Sequence, residues 1–242
     1  APELDPEMSL DDAFSAIAWH LLASSQRLAE QYQHTGHWRL LQDWVQCLGE
    51  LRAMASSLGQ AAPRATTREL RSRLDALLED WRTLVLAGND DEDVRRAAPE
   101  QFADELLDNR WGQFSLDTSR WLLARGWTAE RNKRGERQGA AALANWLSVE
   151  LGDEAKALQL PLYQQQPEDL AEQLPRIERL LAWLHYARSV LLEAPELDRL
   201  YGELSKLQQL ANQPISDEIL DARVQQAFAV AQSRGWKHLV RK

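Results

Sequence analysis

Apolar side chains recur along this chain at three- and four-residue intervals, the spacing that gathers them on one face of an α-helix. From about Asp11 to Tyr32 the positions Phe14, Ile17, Ala18, Leu21, Leu28 and Tyr32 follow that period. Ser9, three residues ahead of Asp12, offers a start in the manner of a capping box, and His34-Thr35-Gly36 offers a stop. A second stretch carries Leu41, Trp44, Val45, Leu48, Leu51, Ala55 and Leu58 and ends at Gly59. A third opens at Pro63 and Thr66-Thr67, carries Leu70, Leu74, Leu77, Trp81, Leu84 and Val85, and ends at Gly88.

The segment GNDDEDVRRAAP (88–99) reads as a polar break, followed by a fourth helical region over roughly 100–125, split near Gly112. Residues 126–139 (GWTAERNKRGERQG) hold little apolar material and read as a basic loop. Helical periodicity resumes over about 140–158, 167–193, 196–212 and 216–235, and strand-like alternation is sustained nowhere. The pattern predicts an all-α protein whose short connections make neighbouring helices antiparallel.

The chain also rhymes with itself. A shift of 130 residues lays Leu51, Leu70, Leu74 and Leu77 onto Leu181, Leu200, Leu204 and Leu207. In both halves a long helix, a proline-containing turn and a leucine-rich helix follow in that order. The reading is two pseudo-symmetric antiparallel four-helix bundles packed side by side, with a cleft between them. Its boundaries are a linker over 1–9, a first bundle over 10–125, the basic loop over 126–139 and a second bundle over 140–242.

Composition narrows the function classes. Hydrophobic residues make up 44% of the chain and charged residues 27%, enough apolar material for a packed core. Ten Trp against four Phe and four Tyr is unusual, and wide rings suit the gaps between packed helices. A net charge of −9 argues against nucleic acid as the partner. Cys47 is the one cysteine, which excludes a disulfide framework or a multi-cysteine metal site and fits a reducing cytoplasm. No apolar run nears the ~18 residues of a membrane span, and no signal peptide precedes the helices. The opening APELDPE reads as a linker within a longer polypeptide.

No constellation for catalysis stands out. The run Asp90-Asp91-Glu92-Asp93 is acidic, but a Mg²⁺–diphosphate motif needs carboxylates one helical turn apart, and position 94 is Val. A loop that caps the next helix is the simpler reading. His34 and His37 flank Gly36 in a turn, the five histidines form no zinc pair, and Cys47 sits among apolar helix positions.

The arginines say more. Arg64, Arg68 and Arg71 lie at i, i+4 and i+7, on one stripe about 100° round the helix from the Leu70/Leu74/Leu77/Trp81 face. Arg52 sits at the margin of the apolar face of the preceding helix. Arg188 falls in line with Ile177, Leu181, Leu184 and Leu191, with His185 beside it. An arginine that borders a core needs a partner, either a carboxylate or a bound anion. Two further basic stretches interrupt the acidic total. Arg120, Arg125, Arg131, Lys133, Arg134 and Arg137 outweigh Glu130 and Glu136 for a local net of +4, and the tail from 231 carries Arg234, Lys237, Arg241 and Lys242. Either is a solvated face or the rim of a polyanion site.

Three segments together carry a family resemblance: LGELRAMASSLGQAAPRATTRELRSRLDALLEDW (48–81), SRWLLARGW (119–127) and EQLPRIERLLAWLHYA (172–187). Across nearly the whole chain from about residue 10, the sequence resembles a CHAD domain, in the divergent form found behind the CYTH catalytic domain of bacterial inorganic triphosphatases. The resemblance implies two pseudo-symmetric helical bundles that bind inorganic polyphosphate or another polyanion. It puts Arg52, Arg64, Arg68 and Arg71 on the basic surface of the first half, and His185 and Arg188 near that of the second. It implies an accessory domain without catalysis or cofactor of its own, since the divalent metal and the hydrolysis belong to an N-terminal CYTH domain of the same polypeptide. The alternative is a degenerate scaffold that stabilises the catalytic domain or forms a homodimer and binds no phosphate. The helix segment QDWVQCLGE (42–50), which has no basic residue, speaks for that alternative.

Overall fold

Local signals account for most of the observed helix ends in the computed structural model, which describes residues 1–107, 109–158, 167–192, 194–210 and 218–240. The helices are α1 (Leu10–Thr35), α2 (Trp38–Ser57), α3 (Arg64–Asp90), α4 (Glu92–Leu107), α5 (Arg110–Leu123), α6 (Lys133–Gly139), α7 (Leu143–Ala157), α8 (Pro167–Tyr186), α9 (Pro195–Leu210) and α10 (Glu218–Arg234). Single 3-10 turns occupy Gly59–Ala61, Gly126–Thr128 and Trp236–His238. At the start of α1 the Asp12 N–H donates to Ser9 Oγ (3.1 Å), while Ser9 Oγ donates to the Asp12 carboxylate (2.7 Å). At its end Gly36 adopts φ +61°, and its N–H donates to Tyr32 O (2.8 Å). Among the described residues no strand forms, and extended backbone pairs only as isolated bridges, Ser9 with Ala142 and Leu191 with Val240.

The chain makes two compact units: Phe14–Gly139, here the first bundle, and Ala140–Lys242 together with Ala1–Ala13, the second. Among the described residues the first bundle has six helices rather than four, because the region 100–125 is split and the segment 126–139 holds a helix of its own. The polar break at 88–99 is one residue long, because α3 runs on to Asp90 and α4 starts at Glu92. Asp91 between them accepts the N–H groups of Asp93 (2.8 Å) and Val94 (3.3 Å) on Oδ1, so the acidic run caps a helix start. Glu92 and Asp93 then pair with Arg96 one turn on. The split in the region 100–125 falls at Asn109, in left-handed conformation, and Gly112 lies inside α5.

The basic segment 126–139 is folded rather than a loop. Arg125 ends α5 in left-handed conformation. Trp127 is fully buried in the turn that follows, edge-on to Phe14 at 4.9 Å. Asn132 Oδ1 accepts the Gly135 N–H (2.9 Å) to start α6, which packs on the turn Gly59–Ala61. One buried tryptophan and a polar cap organise this stretch, and neither produces a helical period.

Tryptophans fill the first bundle. Trp44 on α2 is fully buried, edge-to-face with Trp81 (5.8 Å), Phe102 (5.3 Å) and Trp111 (5.3 Å), and Tyr32 meets Phe102 at 4.9 Å. Such edge-on contacts let large rings interlock without voids. Cys47 donates its thiol to Leu21 O (3.1 Å), and burial together with Glu50 pushes that thiol up to about 12. It is a packing group, not a nucleophile.

In the second bundle α8 packs on α9, α9 on α10, and α7 on the turn Trp236–His238. Residues 1–9 are part of this unit and not a free linker. Leu4 is buried and exchanges hydrogen bonds with Ser189, N–H to Oγ and Oγ–H to O, both 2.9 Å. Carbonyls of Met8 and Pro6 accept the first N–H groups of α7, from Leu143 (2.8 Å) and Ala144 (3.0 Å). These are orphan donors that Ala142, the residue before the helix, has no side chain to satisfy. The leucines related by the 130-residue shift are all buried. They lie on the α2/α3 pair in one bundle and the α8/α9 pair in the other.

Candidate functional site

Four arginines of the first bundle gather where α2 ends and α3 begins. Arg52 stands in the last turns of α2; Gly59, at φ +53°, turns the chain through Gly59–Ala61, and Pro63 leads into α3 at Arg64. Arg64, Arg68 and Arg71 then rise on successive turns. No acidic residue occupies the first turn of α3, and no side chain caps its N–H groups. A helix N-terminus carries partial positive charge, so cations there oppose the macrodipole at about 0.3–1 kcal/mol each where exposed. This arrangement weakens the isolated helix and suits an anion.

The charge neighbours of Arg71 define the cluster. Burial lowers the basicity of its guanidinium, and Arg52, Arg64 and Arg68 lower it further; Asp75 alone among these neighbours raises it. Its Nε is buried with no hydrogen-bond acceptor among the described residues. An unsatisfied buried donor of this kind costs about 1–3 kcal/mol. Arg64 and Arg68 are exposed, and neither makes an ion pair with a described residue. Arg52 pairs with Asp75, which lies on α3 and is about half exposed. Asp75 is eleven residues after Arg64, three helical turns on, so it ends the same stripe.

The secondary basic residues belong to the same bundle. Lys133, Arg134 and Arg137 are exposed on α6, which packs on the turn leading into α3. Arg125 is exposed, Arg131 half-buried, and the turn Gly126–Thr128 between them packs against α3 itself. Arg120 is exposed on α5, 3.7 Å from Asp117.

His185 and Arg188 belong to the second bundle and are not core-bordering. The helix expected over 167–193 stops at Tyr186, so Arg188 leaves the line of Ile177, Leu181 and Leu184 and stands exposed in the following turn. Its guanidinium pairs with Asp198 in the first turn of α9. His185 is exposed, edge-on to Tyr186 at 4.7 Å. The 130-residue shift shows the contrast between the halves in sequence. At the positions 130 residues after Arg52, Arg64, Arg68 and Arg71 stand Ala182, Ala194, Asp198 and Tyr201. The second half has an acid where the first has Arg68.

Sequence reasoning missed Asp75 and the ionic pairs that bind helices together. Glu105 is buried on α4 and takes both Nε and a terminal nitrogen of Arg110, which also reaches Asp80 at 3.5 Å. On α7 Glu154 accepts Arg179 (2.7 Å) and Arg176 (3.3 Å) from α8. Glu150, one turn before Glu154, is pushed up to about 7 by burial first, then by Glu154 and Asp153, with Arg179 opposing. Only the Arg71-to-Asp75 spacing of four residues could have flagged any of these in advance. Among the described residues no group of three or more His, Cys, Asp or Glu is arranged to hold a metal ion, and no helix is long and apolar enough to cross a membrane.

No family model and no curated protein matches the sequence. A solved structure is similar throughout: the CHAD domain from the plant Ricinus communis, with a TM-score of 0.59 and 16% identity, over 100% of this chain and 96% of that one. With two helical units, and a likeness that spans both chains, the protein adopts the fold of a CHAD domain.

Proposed function

We propose that this chain is a non-catalytic accessory domain that binds inorganic polyphosphate, or a polyanion like it, on the basic surface of its first bundle. In this reading it serves a bacterial, cytoplasmic polypeptide whose metal-dependent triphosphatase chemistry resides in a CYTH domain ahead of it, and the chain itself needs no cofactor. One observation carries the reading. Arg52, Arg64, Arg68 and Arg71 share one electrostatic neighbourhood in which Asp75 is the carboxylate that Arg71 feels, and the buried Nε of Arg71 lacks an acceptor. Phosphate oxygens supply acceptors in the fork geometry that guanidinium groups match. The exposed groups of α6 extend the same positive surface, whereas Arg188 is already engaged with Asp198.

Binding is weak and strongly salt-dependent, because exposed contacts are screened over ~8–10 Å at physiological ionic strength. Isothermal titration with tripolyphosphate and long-chain polyphosphate tests this at low and moderate salt. The double variant Arg68→Ala/Arg71→Ala loses most of the affinity. Equal affinity in both proteins, or no heat at low salt, selects the scaffold reading, in which the domain stabilises its partner or dimerises without binding phosphate. The net charge of −9 and the neutral or acidic residues at the repeat-related positions favour that second reading. With Mg²⁺ or Mn²⁺ the chain alone releases no phosphate from tripolyphosphate, and turnover above blank in a malachite-green assay refutes the non-catalytic assignment.

A further inference from the structure

The charge partner of Arg52 is itself on the arginine stripe. Counting from Arg64 at 100° per residue, Arg68, Arg71 and Asp75 all fall within about 40° of it, so the stripe runs from three cations into one anion. Asp75 engages Arg52 directly and is the favourable charge acting on Arg71. It therefore occupies the position of a ligand: one carboxylate set against four guanidinium groups, two of which have no counter-ion among the described residues. About half of the Asp75 side chain is exposed, whereas three quarters of the Arg52 side chain is covered. The carboxylate is thus free to swing out while the arginine stays in place.

We propose that Asp75 is a built-in competitor for the ligand of this cluster, holding Arg52 in the free protein and giving it up when a polyanion binds. The inference rests on the polyanion reading and names the residue that sets its affinity. The second bundle holds a pair of the same kind, though not at the positions that the 130-residue shift lays on Arg52 and Asp75. In the second bundle Asp198, also a carboxylate on the leucine-rich helix, pairs with the exposed Arg188. A carboxylate on this helix ties down an arginine in each half, and the first half has three more arginines beside the pair.

Removing the competitor strengthens binding by the equivalent of one exposed ion pair, roughly fivefold in Kd. The experiment is titration of sodium tripolyphosphate into the wild-type chain, Asp75→Asn, Arg52→Gln and the double variant Asp75→Asn/Arg52→Gln at two salt concentrations. Asp80→Asn, which removes an exposed charge paired with Arg110 away from the cluster, controls for the change in net charge. The expected result is roughly fivefold tighter binding for Asp75→Asn, with a steeper loss in salt, and less than a twofold change for Asp80→Asn. In the Arg52→Gln background most of the gain disappears, because Asp75 is paired with Arg52 and reaches Arg71 only through space. Binding by Asp75→Asn that is equal to or weaker than wild type overturns the proposal and leaves the polyanion reading standing. So does a gain that survives undiminished in the Arg52→Gln background, or one matched by Asp80→Asn. Absence of heat from both wild type and Asp75→Asn is a different outcome and sinks the polyanion reading itself.

Discussion

Replacing Glu150 by Gln stabilises the protein above neutral pH and leaves it unchanged in acid. Glu150 lies near the middle of α7, half-buried, one turn from Glu154 and close to Asp153. Glu154 is already committed to Arg176 and Arg179, so Arg179 offsets only part of the cost of a second charge there. The group is raised from 4.5 to about 7 in the folded chain. A carboxyl raised on folding is more easily ionised in the unfolded chain, so ionisation favours unfolding. The penalty is absent below about pH 4.5, grows between there and pH 7, and is complete above it. At 1.36 kcal/mol per unit, the rise from 4.5 to about 7 sets a ceiling of about 3 kcal/mol. Glutamine keeps the shape and hydrogen-bonding capacity and carries no charge. Urea unfolding followed by circular dichroism at pH 5 and pH 8 measures the difference. The Gln variant gains up to about 3 kcal/mol at pH 8 and at most about 1 kcal/mol at pH 5. A gain of equal size at both values, or a loss at pH 8, refutes the argument that a half-buried, unmatched charge resides at Glu150.

Other substitutions test the packing and the cluster. A Cβ at position 126 comes within 2.2 Å of Trp121 Cδ1 and 2.3 Å of its Nε1, and that ring is hemmed in by Trp127 and Phe14. Gly126→Ala therefore lowers stability by about 1–3 kcal/mol, and an unchanged melting temperature would show that the turn has slack. Arg71→Met removes a half-buried cation with an unsatisfied Nε and three like-charged neighbours. It raises stability by about 1 kcal/mol while weakening tripolyphosphate binding, so a protein that loses both stability and binding argues for a structural Arg71.

The sequence alone determined most of the helices and the all-α class, because these depend on period and punctuation. Ser9 and Asp12, Gly36, Gly59 and Pro63 act within a few residues of where they stand, and the leucine period needs no partner to be read. The arginine stripe on α3 was legible for the same reason. What α3 faces was not. Tertiary structure decided that Arg52 from α2 joins the stripe, that Asp75 holds it, and that Arg188 lies beyond the end of its helix paired with Asp198. It also decided that residues 1–9 cap α7 with backbone carbonyls, and that Trp127 turns a polar segment into ordered structure. Each of these depends on groups far apart in the chain, or on backbone atoms that every residue carries alike, and neither kind of information is written in the spacing of side chains.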